Sequence, residues 1–326
     1  MRIPRRQFLR LAAGAAALPA VSPGAHAQSY PSGPITMIVS GAAGGGTDTV
    51  GRILAEGMKK SLAQPIIIEN VAGADGSIGA GRAARAKPDG YTIDLGFLGN
   101  HVLNGAIYSL QYDVLNDFAP ISLLVTGKVF LFARRTIPAN NLNEFIAWLK
   151  ANPNRASMGI SGSSLRAIDV WFRMETGTRY TLVPYRGVAP AMQDLVSGQI
   201  DLIFSTPDGL ALARAGSIKA YAVASETRSA LAPEVPTFAE LGLPKISWFA
   251  WLGLFAPKGT PKEIVSKLNA AAVEALADPA ARSRLVDLGY EIFPRDRQTP
   301  EALGALVKAD AERTWPIIKA AGIKPY

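Results

Sequence analysis

The chain has 326 residues, of which 48% are hydrophobic and 18% charged, so it can bury a large core and lacks the composition of a disordered protein. It contains 0 cysteines, which excludes disulfides, thiolate metal sites, iron–sulfur clusters and cysteine nucleophiles. Part of the formal net charge of +8 lies in the first residues of the chain, so this charge does not by itself indicate nucleic-acid binding.

Residues 1–27 have the three-part pattern of an export signal. Four arginines and no acidic residue come first, an apolar run follows over Leu11–Val21, and Ala25-His26-Ala27 ends the segment. We therefore predict a signal peptide that is cleaved after Ala27, and a protein of the periplasm. The apolar run is too short to span the roughly 30 Å of hydrocarbon in a bilayer, so no membrane anchor is expected.

The pair Arg5-Arg6, followed by Gln7-Phe8-Leu9, resembles a twin-arginine export signal, although Pro4 stands where such signals usually have Ser or Thr. Removal of residues 1–27 leaves 30 basic and 26 acidic residues. These residues form no run of lysine or arginine interleaved with aromatic residues, so no nucleic-acid partner is expected.

Short β-branched runs alternate with amphipathic helical patterns along the rest of the chain. The predicted strands are 35–39, 66–68, 91–95, 121–125, 129–133, 200–204 and 218–224. This alternation predicts an α/β fold with mainly parallel sheets. Two strand-like segments without an intervening helix, 121–133 and 248–257, are expected to carry the chain between two sheets. We therefore predict one lobe from 28–124 plus 252–326, a second lobe from 125–251, and a central ligand cleft between them.

The sharpest local signal is a glycine-rich loop between a strand and a helix. The strand Ile35–Val39 runs into residues 40–46, and Thr47-Asp48 opens an amphipathic helix. Free N–H groups and the positive end of the helix dipole make such a helix start an anion-binding site, and glycines let a ligand approach the backbone. We therefore predict ligand contacts from Ala43, Gly44, Gly45, Gly46, Thr47 and Asp48. The alternative is a flexible turn in which Thr47 is the N-cap.

A second loop of the same type follows the predicted strand 157–160. It contains Ser161, Gly162, Ser163 and Ser164 and opens a helix with Leu165, Ile168 and Phe172 on one face. Hydroxyl and N–H groups there could converge on an anion, whereas the alternative is an ordinary serine N-cap. Together with the glycine loop, this segment predicts two anion-binding loops that face one cleft.

Three turns are weaker candidates for ligand contacts. They are residues 73–77 with Ala74, residues 185–187 with Arg186, and residues 205–209 with Ser205. The alternative is an ordinary turn at 73–77 and at 205–209, and a solvated side chain for Arg186. After residue 27 the chain has a single histidine, His101, and no Gly-x-Ser-x-Gly motif, so neither a Ser-His-Asp triad nor a histidine-rich metal site is predicted. The sequence therefore indicates binding without catalysis, and no cofactor.

In these motifs and in their order, the chain resembles the Bug family of periplasmic solute receptors, the binding components of tripartite tricarboxylate transporters. The resemblance covers nearly the whole chain after residue 27. It rests on the ordered set of motifs at 44–48, 87–92, 117–122, 185–195, 198–201, 234–237, 253–261 and 320–323.

The resemblance implies a two-lobed periplasmic-binding-protein fold of type II that closes on a small carboxylate. It also implies that the loops 43–48 and 161–164 hold the carboxylate through backbone groups, hydroxyls and water. The sequence departs from the family at Ser40-Gly41-Ala42, where a Pro-aromatic-Pro step is usual, and at Arg166 and Val170, where His and Glu are usual. We expect Arg166 to bind a second anionic group of the ligand, which favours a dianion.

These observations predict a monomeric receptor that delivers a di- or tricarboxylate or an aromatic acid to the membrane subunits of a tripartite tricarboxylate-type transporter. One alternative is a periplasmic subunit that reports the ligand to a membrane kinase through the same cleft. A second alternative is an exported enzyme, because twin-arginine signals often serve enzymes that fold before export.

Overall fold

The computed structural model describes residues 30–185 and 187–322, so the predicted signal peptide and Arg186 lie outside the described residues. Residues from Gly33 onward form one compact unit, and all the elements below belong to it. Its strands are β1 Ile35–Val39, β2 Ile66–Asn70, β3 Thr92–Phe97, β4 Phe118–Arg134, β5 Ser157–Ile160, β6 Thr181–Pro184, β7 Leu202–Ser205, β8 Ile218–Ala224, β9 Phe249–Pro257 and β10 Tyr290–Ile292.

Helices and helical turns connect these strands. The α-helices are α1 Gly46–Leu62, α2 Ser77–Ala84, α3 Asn104–Ile107, α4 Leu142–Ala151, α5 Gly162–Thr176, α6 Val188–Ser197, α7 Leu210–Arg214, α8 Lys262–Ala277, α9 Pro279–Asp287 and α10 Pro300–Ala320. Shorter helical turns span Ala74–Gly76, Gly99–Leu103, Pro207–Gly209 and Arg295–Arg297. None of the helices in residues 30–185 and 187–322 combines the length and the hydrophobicity that a membrane-spanning helix requires.

Two groups of parallel strands form the two ends of the sheet. In the first group β1 pairs in parallel with β2 and β3, and in the second β5 pairs in parallel with β6 and β7. The two groups are joined by β4 and β9, and the sheet order is β2-β1-β3-β9-β4-β7-β5-β6. The predicted α/β class is therefore confirmed.

The prediction of mainly parallel pairing is wrong, because every pairing made by β4 is antiparallel. The first part of β4 pairs with β9 and β10, and its last part pairs with β7 and β8. The runs 121–125 and 129–133 are thus one strand that belongs to both groups. The partners of β4 come from segments much later in the chain, and the spacing of apolar runs carries no information about the direction in which such segments pair. The lobe boundaries themselves remain a prediction.

The core lies on both faces of β4 and β9. Phe130, Phe132, Trp251 and Phe255 are among the largest fully buried side chains. A strand that is covered on both faces has a nearly continuous apolar sequence, and Val129–Ala133 is such a run. This buried centre holds the two parallel groups at fixed positions, so the loops at their strand ends come together.

Candidate functional site

The glycine loop, residues 40–46, connects β1 to α1. Gly44 has a φ of +79°, a left-handed conformation that favours glycine, and the N–H of Gly45 donates to the carbonyl of Ala42 at 3.2 Å. The N-cap of α1 is Gly45, and no side chain caps the helix. The alternative in which Thr47 is the N-cap is therefore wrong, because the turn closes two residues earlier. Residues 42–46 are exposed, so their backbone is accessible to a ligand.

The buried side chain of Asp48 holds the conformation of this loop. Its Oδ2 accepts from the N–H of Gly44 at 2.8 Å and from Nε of Arg52 at 2.9 Å, and its Oδ1 accepts from Nδ2 of Asn70 at 3.0 Å. Burial opposes ionisation of this carboxyl, but the hydrogen bonds from Arg52, Gly44 and Asn70 hold its pKa below the ordinary value. Asp48 is 2% exposed, so its carboxylate positions the loop backbone.

The turn 73–76 lies beside the glycine loop and has a strained backbone. Gly73, Ala74, Asp75 and Gly76 all have positive φ values, of 126°, 45°, 49° and 82°. The left-handed conformation costs a non-glycine residue roughly 1–2 kcal/mol, so other contacts must hold Ala74 and Asp75 there. One is the side chain of Asn104, whose Nδ2 donates to the carbonyl of Asp75 at 3.0 Å.

Gly76 allows this turn to pack against the end of β1. A Cβ atom on Gly76 would lie 2.8 Å from the Phe97 ring and 3.1 Å from the carbonyl oxygen of Ser40. Ala74, a predicted site residue, is exposed in this turn and also lines a surface cavity of about 280 Å³ with Arg85 and Tyr112. The turn 73–76 and the glycine loop are therefore neighbours at one edge of the sheet.

The second predicted loop reaches the same region from the other parallel group. Ser161 is the N-cap residue of α5, but its side chain makes no capping hydrogen bond, so the ordinary serine cap is wrong. Instead, the N–H of Ser163 donates to Oδ2 of Asp75 at 2.8 Å, across 88 residues of sequence. Gly162 has a φ of +73°, and Ser164 is half-buried in the first turn of α5. Asp75 therefore brings the loops 73–76 and 161–164 together.

Gly289 and Tyr290 lie between the glycine loop and the turn after β7. A Cβ atom on Gly46 would lie 2.8 Å from the Tyr290 hydroxyl, and a Cβ atom on Gly289 would lie 2.8 Å from the Pro207 side chain. Ser205, at the end of β7, is fully buried and pairs with Phe130 of β4. Sequence analysis missed Tyr290, because β10 has only three residues, which is too short a run for an alternating strand pattern to be read.

Arg166 lies in the second turn of α5 and is half-buried. With Val170, Arg173, Met174 and Ala321 it lines a surface depression of about 260 Å³. Arg173 in turn contacts the buried carboxylate of Asp169 at 2.7 Å. The role of Arg166 in binding a second anionic group remains a prediction.

His101 and Asp94 form a fully buried pair close to the site. His101 Nε2 lies 3.2 Å from Asp94 Oδ2, and the imidazole stacks on the Phe255 ring at a centroid distance of 4.0 Å. Burial raises the pKa of Asp94 to about 8 and lowers the pKa of His101 to about 3. Burial favours the uncharged form of both groups, so His101 is a core residue rather than a charged ligand contact.

The Asp94 carboxyl predicts a specific pH dependence of folding stability. Between pH 6.5 and 8 the folded protein keeps a proton on Asp94 that the unfolded chain releases, so the free energy of unfolding should fall by on the order of 2 kcal/mol as pH rises. Below pH 6.5, His101 is protonated in the unfolded chain but stays neutral in the folded protein, so its contribution to the free energy of unfolding rises with pH. This rise offsets the fall that Asp94 causes.

Urea unfolding of the wild-type protein and of an Asp94→Asn variant across pH 6.5 to 8 checks this expectation. Asparagine is isosteric with the protonated carboxyl and does not titrate, so the difference between the two proteins should shrink toward pH 8. Parallel curves for the two proteins would show that Asp94 does not hold its proton in the folded state.

The comparisons with solved structures match this arrangement of strands and loops. MatC (Rpa3494) from Rhodopseudomonas palustris with bound malate is 38% identical, with a TM-score of 0.80 over 89% of this chain and 100% of that one. Rpa4515 of R. palustris with adipate is 30% identical, with a TM-score of 0.81 over 91% of this chain and 100% of that one. The fold is that of a periplasmic binding protein.

The family follows from the sequence comparisons. The model of the "Tripartite tricarboxylate transporter family receptor" family, TctC, matches residues 50–323. "Protein BugT" of Bordetella pertussis is 32% identical over 303 residues, which cover 91% of this chain and 92% of that protein. The chain therefore belongs to the TctC family of tripartite tricarboxylate transporter receptors, to which the Bug proteins are related. This family consists of solute-binding receptors, so the prediction that the chain is not an enzyme is confirmed.

Proposed function

We propose that this chain is a periplasmic receptor for a small carboxylate, a di- or tricarboxylate or an aromatic acid, which it delivers to the membrane subunits of a tripartite tricarboxylate-type transporter. The observation that carries the proposal is the glycine loop at the start of α1. Its backbone is exposed over residues 42–46, and a buried carboxylate, Asp48, holds the loop conformation.

Electrostatics favour one carboxylate of the ligand at this position. The N-terminus of α1 carries the positive end of the helix dipole, and no side chain caps it. The carboxylate of Asp48 lies in the first turn of α1, and its ion pair with Arg52 at 2.9 Å offsets its negative charge. The Tyr290 hydroxyl beside Gly46 adds a hydrogen-bonding group that could reach the same carboxylate. Two similar proteins with malate and adipate bound support a carboxylate as the ligand class.

A thermal-shift screen of the purified protein tests the proposal. The panel contains malate, adipate, citrate and benzoate, their uncharged amides, and neutral sugars of similar size. A ligand at 100 times its Kd adds about 2.7 kcal/mol to the free energy of unfolding, which raises Tm by a few degrees for a chain of this size. We expect at least one acid, and none of the amides or sugars, to produce such a shift. A shift with a neutral compound and with no acid would contradict the proposal.

A further inference from the structure

The N-terminus of α5 is already occupied by a carboxylate of the protein. Asp75 Oδ2 accepts from the N–H of Ser163 at 2.8 Å, and Asp75 Oδ1 lies 3.1 Å from the point where a Cβ atom of Gly162 would be. The N-cap residue Ser161 contributes no side-chain cap of its own. The anion position that sequence analysis assigned to a ligand is therefore taken by Asp75, which comes from the other parallel group.

The position of Asp75 is set by its own side of the fold. Its φ of 49° lies in the left-handed region, which a non-glycine residue adopts only where other contacts enforce it. Nδ2 of Asn104 supplies such contacts, because it donates to the carbonyl of Asp75 at 3.0 Å and to Oγ of Ser77 at 2.8 Å. Asp75 is therefore held toward α5 by the first parallel group.

A second observation beside this contact indicates a ligand. The Ser163 hydroxyl is buried and has no hydrogen-bond partner among the described residues, and Ser163 is only 4% exposed. Its Oγ lies 3.0 Å from the point where a Cβ atom of Gly99 would be, so it lies between α5 and the turn Gly99–Leu103. A buried hydroxyl without a partner is costly, and a polar ligand group could satisfy it.

We infer that Asp75 determines ligand specificity by competing with a second carboxylate for the N-terminus of α5. The inference rests on the proposed function and narrows its ligand class. An acid with one carboxylate on the glycine loop and an uncharged polar or aromatic end can bind with Asp75 in place. A diacid must either displace Asp75 from the Ser163 N–H or place two carboxylates at one helix end, where like charges repel. The inference therefore favours an acid with a single carboxylate, whereas the role expected for Arg166 favours a dianion.

Titration calorimetry with two matched acid pairs tests the inference: adipate with hexanoate, and succinate with butanoate. The proteins are the wild type, Asp75→Asn and Asp75→Gly, because asparagine and glycine both tolerate a positive φ. Either substitution should raise the affinity for the diacid about ten-fold or more, the usual effect of one charge-assisted hydrogen bond. The affinity for the monoacid should change by less than about three-fold.

Asp278→Asn is the matched control. Asp278 caps α9 by accepting from the N–H groups of Ala280 at 2.9 Å and Ala281 at 3.2 Å, so this variant loses the same charge at a helix N-terminus elsewhere. It should leave the preference between diacid and monoacid unchanged.

An unchanged preference in both Asp75 variants, or a weaker affinity for the diacid, would overturn the inference while the carboxylate receptor stands. If neither the wild type nor the variants bind any acid of the two pairs or of the thermal-shift panel, the proposed function fails and the inference fails with it.

Discussion

Replacement of Gly44 by valine should reduce ligand affinity about thirty-fold or more. Gly44 has a φ of +79°, and a β-branched residue in that conformation costs about 2 kcal/mol or more. The loop should relax to a negative φ, which moves the N–H of Gly44 away from Asp48 and displaces the backbone that faces the ligand. This cost falls on the bound conformation, so it corresponds to the stated loss of affinity. Titration calorimetry measures the loss with any acid that shifts Tm in the thermal-shift screen.

Two control variants distinguish the effect of the loop conformation from the effects of an added side chain and of lost stability. Gly44→Asn adds a side chain but tolerates a positive φ, so it should retain most of the affinity. Gly216→Val imposes the same strain at an exposed turn with a φ of +71° and no neighbour within 4 Å, so it should cost stability without changing affinity. Wild-type affinity in a folded Gly44→Val protein would show that the glycine loop is only a connection.

Replacement of Asp48 by asparagine should lower both stability and affinity. Asp48 is 2% exposed and accepts from Gly44, Arg52 and Asn70, and hydrogen bonds to a charged group contribute about 1.5–3 kcal/mol each. Because an amide has one acceptor oxygen, the variant should lose about 2 kcal/mol of unfolding free energy and at least ten-fold in affinity. Urea unfolding and calorimetry on the same preparation measure the two losses.

Arg52→Met is the graded control for Asp48→Asn. The side chain of Arg52 is 54% exposed, so solvent screens its ion pair with Asp48, and its removal should cost much less stability than Asp48→Asn. The pKa of Asp48 lies below its ordinary value, so the contribution of Asp48 is present above that ordinary value of 3.8 and is lost as pH falls through the lower folded value. Equal effects of the two substitutions would mean that Asp48 acts only through Arg52.

Local patterns were sufficient to predict the elements that carry the glycine loop. The run of β-branched residues at Ile35–Val39 is a strand with the predicted bounds, and α1 begins at Gly46, one residue before the predicted helix opening at Thr47. These signals can be read from sequence because a strand, a glycine turn and an amphipathic helix each depend on residues close together in the chain. The N-cap was the exception, since the turn closes through the carbonyl of Ala42.

The direction of the strands could not be read in the same way. The apolar runs 121–125 and 129–133 are typical of buried strands, but periodicity carries no information about which strand lies alongside or how it is oriented. Thr126, Gly127 and Lys128 continue β4 between the two runs because β9 supplies hydrogen bonds along this stretch. The antiparallel centre of the sheet therefore results from pairing between distant segments.

The α/β class, the resemblance to a receptor family and the position of two loops at helix N-termini could be predicted before the fold was known, because composition, ordered motifs and local periodicity carry that information. The folded protein was needed to show that Asp75 contacts Ser163, that Tyr290 lies beside Gly46, and that His101 is buried against Asp94. The first two contacts join segments that are distant in the chain and are brought together by packing around β4 and β9, whereas Asp94 and His101 lie on β3 and on the helical turn that follows it. Their distances and their effect on pKa depend on that packing, which no local pattern encodes.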